Sequence, residues 1–300
     1  MNQPDFLQKN DTVAIVSTAR KITKNELKPA LKLLESWGLK VVLGNTIGLE
    51  ENQFSGSDSQ RISDFQSMLN NPTIKAIWCA RGGYGTVRII DQLDFTEFKK
   101  HPKWIIGYSD LTVLHNHLHN LGFNTIHASM PLDVLKNTAQ ALETLKKSLF
   151  GKSLSYKIPS TIKNKIGTAT GELIGGNLSI LYSLLGSKTT LNTDGKILFI
   201  EDLDEYLYHI DRMLMNLKRN HYFENLKGLI VGGMTDMHDN TIPFGKTPKE
   251  IILAVVSAYN FPIVFDFPAG HLNDNRALIL GRKVILEVGT EKTTLSYCIL

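Results

Sequence analysis

WIIGYSDLTVLHNHL, residues 104–118, joins an apolar run to a helix-like pattern and sets Ser109 at the junction. KWIIG (103–107) has the length and apolar content of a buried strand, and DLTVLHNHLHNLG after it reads as a helix. The same alternation extends toward the N-terminus. TVAIVS (12–17) is a β-branched run followed by NELKPALKLLESWG, in which Leu27, Leu31, Leu34 and Trp37 recur at helical spacing. LKVVLG (39–44) precedes SDSQRISDFQSMLNN, with Ile62, Phe65 and Leu69 on one face, and IKAIWCA (74–80) supplies another strand. Strands of about five apolar residues alternating with helices specify βαβ crossovers, a parallel sheet covered on both faces, and ligand binding beyond the carboxyl ends of the strands. Ser109 sits at one such end.

Past Phe150 the chain turns polar and lysine-rich, and SLSYKIPSTIKNKIGTATG lacks helical periodicity. This places a first domain over 1–150, a linker or crossing strand over 151–170, and a second domain over 171–300. The second contains GELIGGNLSILYSLLG, the strand KILFIED (196–202), a helix through Leu207, Ile210, Leu214 and Leu217, the strand GLIVGGM, a helix over 249–259 and the strand PIVFDF. Alternating apolar residues around a Gly-Thr-Glu-Lys turn make RKVILEVGTEKTTLSYCIL a closing hairpin. No internal repeat or low-complexity segment interrupts this order.

Composition narrows the function classes. With 42% hydrophobic and 21% charged residues in 300, the chain is globular and long enough for two cores. No basic start with an apolar stretch resembles a signal peptide, and nothing approaches the roughly 18 apolar residues of a membrane span, so a cytoplasmic location without membrane partners is expected. Cys79 and Cys298 form neither a disulfide framework nor a CxxC site and are expected to be reduced, buried and structural. A net charge of +4, scattered along the chain, lacks the footprint of a nucleic-acid binder and suits a small anionic ligand.

A serine hydroxyl becomes a nucleophile when a base takes its proton and a carboxylate orients that base. Ser109 follows a strand and precedes a helix, the position that exposes a nucleophile while aiming the next backbone N–H groups at an oxyanion. Gly107-Tyr108-Ser109-Asp110-Leu111 keeps the first glycine of a G-x-S-x-G elbow and lacks the last, and Ser109 or Asp110 serves equally as a helix N-cap. Glu201 ends KILFIED where a buried strand emerges; as a lone acid it would otherwise be a solvated loop residue. His271 is delivered from PIVFDF through a Pro-Ala-Gly turn, whose glycine lets the backbone approach a neighbour. His115, His117, His119 and His127 invite a metal reading, but HEXXH is absent and His117 lies on another helix face, so neither a metal nor a cofactor is expected. CARGGYGTVR (79–88) is a glycine-rich loop that could cradle a phosphate or bring one N–H to an oxyanion; it matches neither Walker A nor the full G-x-G-x-x-G. On the first use it would serve a non-catalytic nucleotide- or sugar-phosphate-binding module.

RGGYG, GYSD, GGNLS, LFIED and AGHLNDN occur in that order, and with them the sequence resembles the LD-carboxypeptidase family of serine peptidases nearly end to end. The resemblance implies a flavodoxin-like parallel-sheet N-terminal domain, a smaller β-rich α/β C-terminal domain and a homodimer. It implies Ser109 as nucleophile, Glu201 as triad acid, His271 as base, and an oxyanion hole from Gly83, or Gly82, with Asp110. With nucleophile and base on different domains, the active site is expected in the cleft between them. The implied substrate is a small peptide, the cytoplasmic murein tetrapeptide of peptidoglycan recycling, losing its terminal D-alanine through an acyl-enzyme. Arg81, Tyr84, Asn177 and Arg276 are candidates for binding substrate and its free carboxylate. One departure stands out: Leu278-Ile279-Leu280-Gly281 replaces the family's frequent Leu-Pro-x-Gly, which puts local loop shape in question. The length and lack of a long insertion favour murein recycling over the branch that destroys peptidyl-nucleotide antibiotics such as microcin C.

Overall fold

The computed structural model describes residues 1–298 in two units. The first comprises Met1–Ser153 with Asn273–Ile279, the second Leu154–Leu272 with the chain from Leu280 onward. In chain order the strands are β1 (Thr12–Val16), β2 (Lys40–Leu43), β3 (Ile74–Cys79), β4 (Trp104–Gly107), β5 (Thr125–His127), β6 (Ser155–Pro159) and β7 (Gly167–Asn177). They continue with β8 (Ile197–Leu203), β9 (Gly228–Thr235), β10 (Ile263–Val264), β11 (Leu278–Leu280), β12 (Lys283–Val288) and β13 (Lys292–Tyr297). The helices are α1 (Lys28–Ser36), α2 (Asp58–Asn70), α3 (Thr96–Lys100), α4 (Thr112–Asn120), α5 (Ala139–Leu149), α6 (Leu178–Ser183), α7 (Leu207–Arg219) and α8 (Pro248–Val256).

In the first unit the order is β2-β1-β3-β4-β5, with β11 outside β5. The pairs β1–β2, β1–β3, β3–β4 and β4–β5 are parallel. This is the flavodoxin-like order, and its reversal between β1 and β3 opens a crevice at their carboxyl ends. Val13, Ile15, Ile77, Trp78, Ile105 and Ile106 are buried, as parallel strands covered on both faces require. α2 starts from a capping box between Ser57 and Gln60. Its inward face is Arg61, Asp64, Phe65, Met68 and Leu69, so two charged residues lie on it and Ile62 sits at its margin. The expected apolar face is rotated because those charges are satisfied internally. The Asp64 carboxylate, for example, accepts the Asn45 and Thr46 backbone N–H groups at 2.8 Å each.

The second unit is a mixed sheet ordered β10-β9-β8-β7-β12-β13-β6. β7 switches partners along its length: Gly167–Glu172 pairs antiparallel with β12, and Leu173–Asn177 pairs parallel with β8. Helices α6, α7 and α8 cover the parallel half around Ile200, Ile210, Leu214, Val231 and Ile252. The fold class is therefore α/β, a flavodoxin-like parallel sheet plus a smaller, β-rich second unit.

Three details refine the sequence reading. Of the linker or crossing strand expected over 151–170, the structure has a strand, β6, whose Tyr156 and Ile158 face inward while Ser155, Lys157 and Pro159 face out, and β6 pairs with β13. A polar, proline-ended strand suits this outermost position in the sheet. Residues 273–279 group with the first unit although they lie far along the chain, and the Leu278–Leu280 departure is the outer strand β11. Cys79 is buried as expected, whereas Cys298, just past β13, is partly exposed. The hairpin forms as β12 and β13, with Gly289 N donating to Lys292 O at the turn; positions 299–300 of that expected hairpin lie outside the described residues. Among the described residues no helix is long and apolar enough to cross a membrane.

Candidate active site

β4 is buried along its whole length and delivers the chain to Ser109, whose φ is +63°. A serine in the left-handed region costs about 1–3 kcal/mol and persists only where its surroundings impose it. Tyr108 is extended, Ser109–Leu111 form a 3-10 turn, and α4 begins immediately, with Leu111 at its N-cap position. The local geometry is thus a strand-to-helix elbow with Ser109 at its bend. His115 braces it from below, its Nε2 2.9 Å from Gly107 O and its Nδ1 2.8 Å from Thr125 Oγ1. Burial pushes this imidazole down to about 4, so at neutral pH it is uncharged. Because a carbonyl only accepts, Nε2 carries the proton and the Thr125 hydroxyl donates to Nδ1. The other helix histidines go elsewhere: the His117 ring packs 4.8 Å from the Phe95 ring, and the buried His127 lies edge-on to Tyr108. Among the described residues no group of three or more His, Cys, Asp or Glu side chains is placed to hold a metal ion.

The glycine-rich loop leaves β3 at the crevice where strand order reverses. A Cβ on Gly82 would stand 3.2 Å from Ser109 Cβ and 3.4 Å from its Oγ, so the loop backbone passes directly over the serine. Only a residue without a side chain permits that approach comfortably. Gly83 is the next residue of the same pass. Asp110, buried, accepts the Thr86 N–H at 2.9 Å and so ties this loop to the elbow. Arg81 is half-buried and donates through Nη1 to Lys21 O. Tyr84 is exposed beside Phe54. Arg276 groups with this unit, but its Nε and Nη2 fork is taken by Asp274 at 3.1 and 2.8 Å. That bidentate pair fixes the orientation of the Arg276 side chain.

In the second unit β8 carries Glu201 and Asp202 side by side near its carboxyl end, both buried, where its register against β9 shifts. Asp202 accepts from Asn177 Nδ2, Ser179 N and Leu203 N, each at 2.9 Å. Burial, reinforced by the neighbouring Glu201 charge, pushes its carboxyl up to about 7. Asn177 also caps α6 through Oδ1, so its side-chain amide is oriented by the fold at both ends. Glu201 is fully buried, and its Oε2 accepts both His271 Nδ1–H at 2.6 Å and His271 N–H at 3.1 Å. Its Oε1 has no hydrogen-bond partner among the described residues. Gly270 makes this possible: at φ +102° its absent Cβ would lie 2.6–2.7 Å from Glu201 Oε2, Cβ and Cγ. Gly270→Ala therefore loses about 2–4 kcal/mol from backbone strain and overpacking, read as a lowered thermal midpoint. Beside His271, a cleft of about 660 Å³ is lined by Gly232, Gly233, Thr235, Lys163, Lys249 and Leu272.

Sequence reasoning overlooked Arg61, Thr86 and His115 as structural partners of this machinery. Arg61 carried one readable signal, a cation four residues before Phe65 on a helix face that is otherwise inward. The others act through tertiary hydrogen bonds, which leave no local pattern.

Comparison with known proteins follows this division. The LD-carboxypeptidase N-terminal domain matches residues 13–128, and the LD-carboxypeptidase C-terminal domain matches residues 170–286. A probable murein peptide carboxypeptidase of Bacillus subtilis is 35% identical over 97% of this chain and 93% of that protein. The microcin C7 self-immunity protein MccF of Escherichia coli is 26% identical over 95% of this chain and 93% of that protein. Among solved structures, the muramoyltetrapeptide carboxypeptidase of Oxalobacter formigenes superposes with a TM-score of 0.87 at 26% identity, covering 96% of this chain and 99% of that one. The first match contains the Ser109 elbow and the second contains Glu201 and His271, so the chain belongs to the LD-carboxypeptidase family and is a peptidase.

Proposed function

We propose that the protein is a serine carboxypeptidase of LD specificity that removes the terminal D-alanine from murein tetrapeptides in the cytoplasm, a step of peptidoglycan recycling. The observation that carries this reading is the Glu201–His271 pair, in which one buried carboxylate oxygen holds both the ring and the backbone of a partly exposed histidine. A carboxylate on Nδ1 fixes the tautomer that presents Nε2 as the proton acceptor. Ser109 Oγ attacks the carbonyl carbon at the L-centre of the diamino acid while His271 Nε2 takes its proton. Charge developing on the carbonyl oxygen is met by the N–H groups of Asp110 and Gly83, with Gly82 as the alternative loop donor. The C–N bond then breaks, His271 returns the proton to the departing D-alanine nitrogen, and the acyl group stays on Ser109. Water, deprotonated by the same imidazole, releases it. Glu201 stabilises the imidazolium in both halves. Of the substrate-binding candidates, Arg81 is best placed to pair with the terminal carboxylate, because it precedes Gly82 over the serine and Lys21 O engages only its Nη1 among the described residues.

Mass spectrometry of a panel of tetra- and pentapeptides tests the assignment. Loss of one D-alanine from LD-linked tetrapeptides is expected, at the same rate with and without chelator, and all-L controls stay intact. Absence of cleavage across every LD peptide removes the reading. The likeness to MccF supports peptidyl nucleotides as the alternative substrate class. Cleavage of those, with tetrapeptides untouched, moves the assignment to them.

A further inference from the structure

One peptide unit of the glycine-rich loop is held between two buried opposite charges. The carbonyl of Gly85 accepts from Arg61 Nη1 at 3.0 Å, and the N–H of the same unit, on Thr86, donates to Asp110 Oδ2 at 2.9 Å. Arg61 is fully buried; its Nη1 also donates to Thr18 O at 2.5 Å, its Nη2 pairs with Asp58, and its guanidinium lies 4.9 Å from the Phe54 ring centre. Asp110 is equally inaccessible, and its Oδ1 has no hydrogen-bond partner among the described residues. Thr86 Oγ1 is fixed in turn by Thr18 Oγ1 at 2.8 Å. A buried charge without a partner costs several kcal/mol, so neither the cation nor the anion releases this peptide readily. Burial raises the Asp110 carboxyl while the Thr86 and Gly85 contacts and Arg61 oppose that rise.

The oxyanion site as proposed above takes its two donors from different elements: one N–H from the elbow after β4, the other from the loop after β3. The loop carries three glycines between Arg81 and Thr86, and such a segment does not hold a donor in place by itself. We propose that Asp110 is a positioning residue for that site, contributing one donor through its backbone while its side chain, acting with Arg61 on the Gly85–Thr86 peptide, sets where the loop donor lies over Ser109. The inference rests on the serine peptidase reading. It assigns the charge of Asp110, and not merely its bulk, to catalysis.

Asp110→Asn keeps the backbone donor and the volume and removes the charge. Deleting an oxyanion donor outright costs about 10²–10³ in kcat, so a displaced donor should lower kcat about 10- to 100-fold with KM within about twofold. Rates are expressed per active site titrated with a fluorophosphonate, which removes any loss of folded protein from the comparison. Arg61→Gln should give the same split between kcat and KM, and the double variant should be no slower than the slower single one, because both act on one peptide. An Asp110→Asn kcat per titrated site within twofold of the parent, or losses in the two variants that multiply, overturns the proposal. If the variants do not fold, the parent protein still decides. The Thr86 amide proton should resonate far downfield and move as acid protonates Asp110, and an ordinary shift independent of pH overturns it. Failure of the serine reading shows separately, as turnover retained in Ser109→Ala.

Discussion

In Ser109→Ala, D-alanine release falls by about four to six orders of magnitude, the scale seen when a triad nucleophile is removed. The backbone at this position is already left-handed, and alanine is no worse placed there than serine, so the fold should not suffer. The thermal midpoint therefore stays close to that of the parent while activity disappears. Labelling by a fluorophosphonate should vanish with it. A variant that keeps a tenth or more of the parent rate, at equal purity, ends the assignment of Ser109 as the attacking atom.

Glu201→Gln comes next in size, lowering kcat by about 10⁴-fold. The amide has two ways to sit in the carboxylate's place, and both fail. With its oxygen toward His271 it keeps the tautomer but no longer balances the imidazolium, and its NH₂ occupies the buried Oε1 position, where no partner was present among the described residues. With its NH₂ toward His271 it faces Nδ1–H and the backbone N–H, donor against donor, and turns the ring to the wrong tautomer. Steady-state kinetics on the tetrapeptide should show the loss in kcat with little change in KM. Equal activity in Glu201→Gln would mean that the 2.6 Å contact serves the fold alone.

Buried parallel strands read as unbroken apolar runs, which is why β1, β3, β4 and β8 are legible from residue types. β5 and β11, three residues each, are too short for any periodicity to register, yet they widen the first sheet. β6 does alternate, but its lysine and proline outweigh Tyr156 and Ile158 in a composition-based reading. At the site, Glu201, Gly270 and His271 stand out because a strand end, a glycine and a titratable ring coincide, and the structure supplies the reason for the glycine: a carboxylate occupies the space of its side chain. The types of Arg276 and Asn177 suit a carboxylate ligand, but their hydrogen bonds to Asp274 and Asp202 left no sign in the sequence, because only tertiary structure reveals a partner already in place.

The strand β11 has a consequence for how the polypeptide matures. It borders β5 in the first sheet but is encoded about 150 positions after that strand, with the whole of Leu154–Leu272 intervening. During synthesis the N-terminal sheet must wait, its β5 flank unpaired and open to wrong partners, until the chain through Leu280 has left the ribosome. Cutting the gene at Ser153 would accordingly yield a fragment lacking its outermost strand, prone to associate through that flank rather than to behave as an autonomous domain.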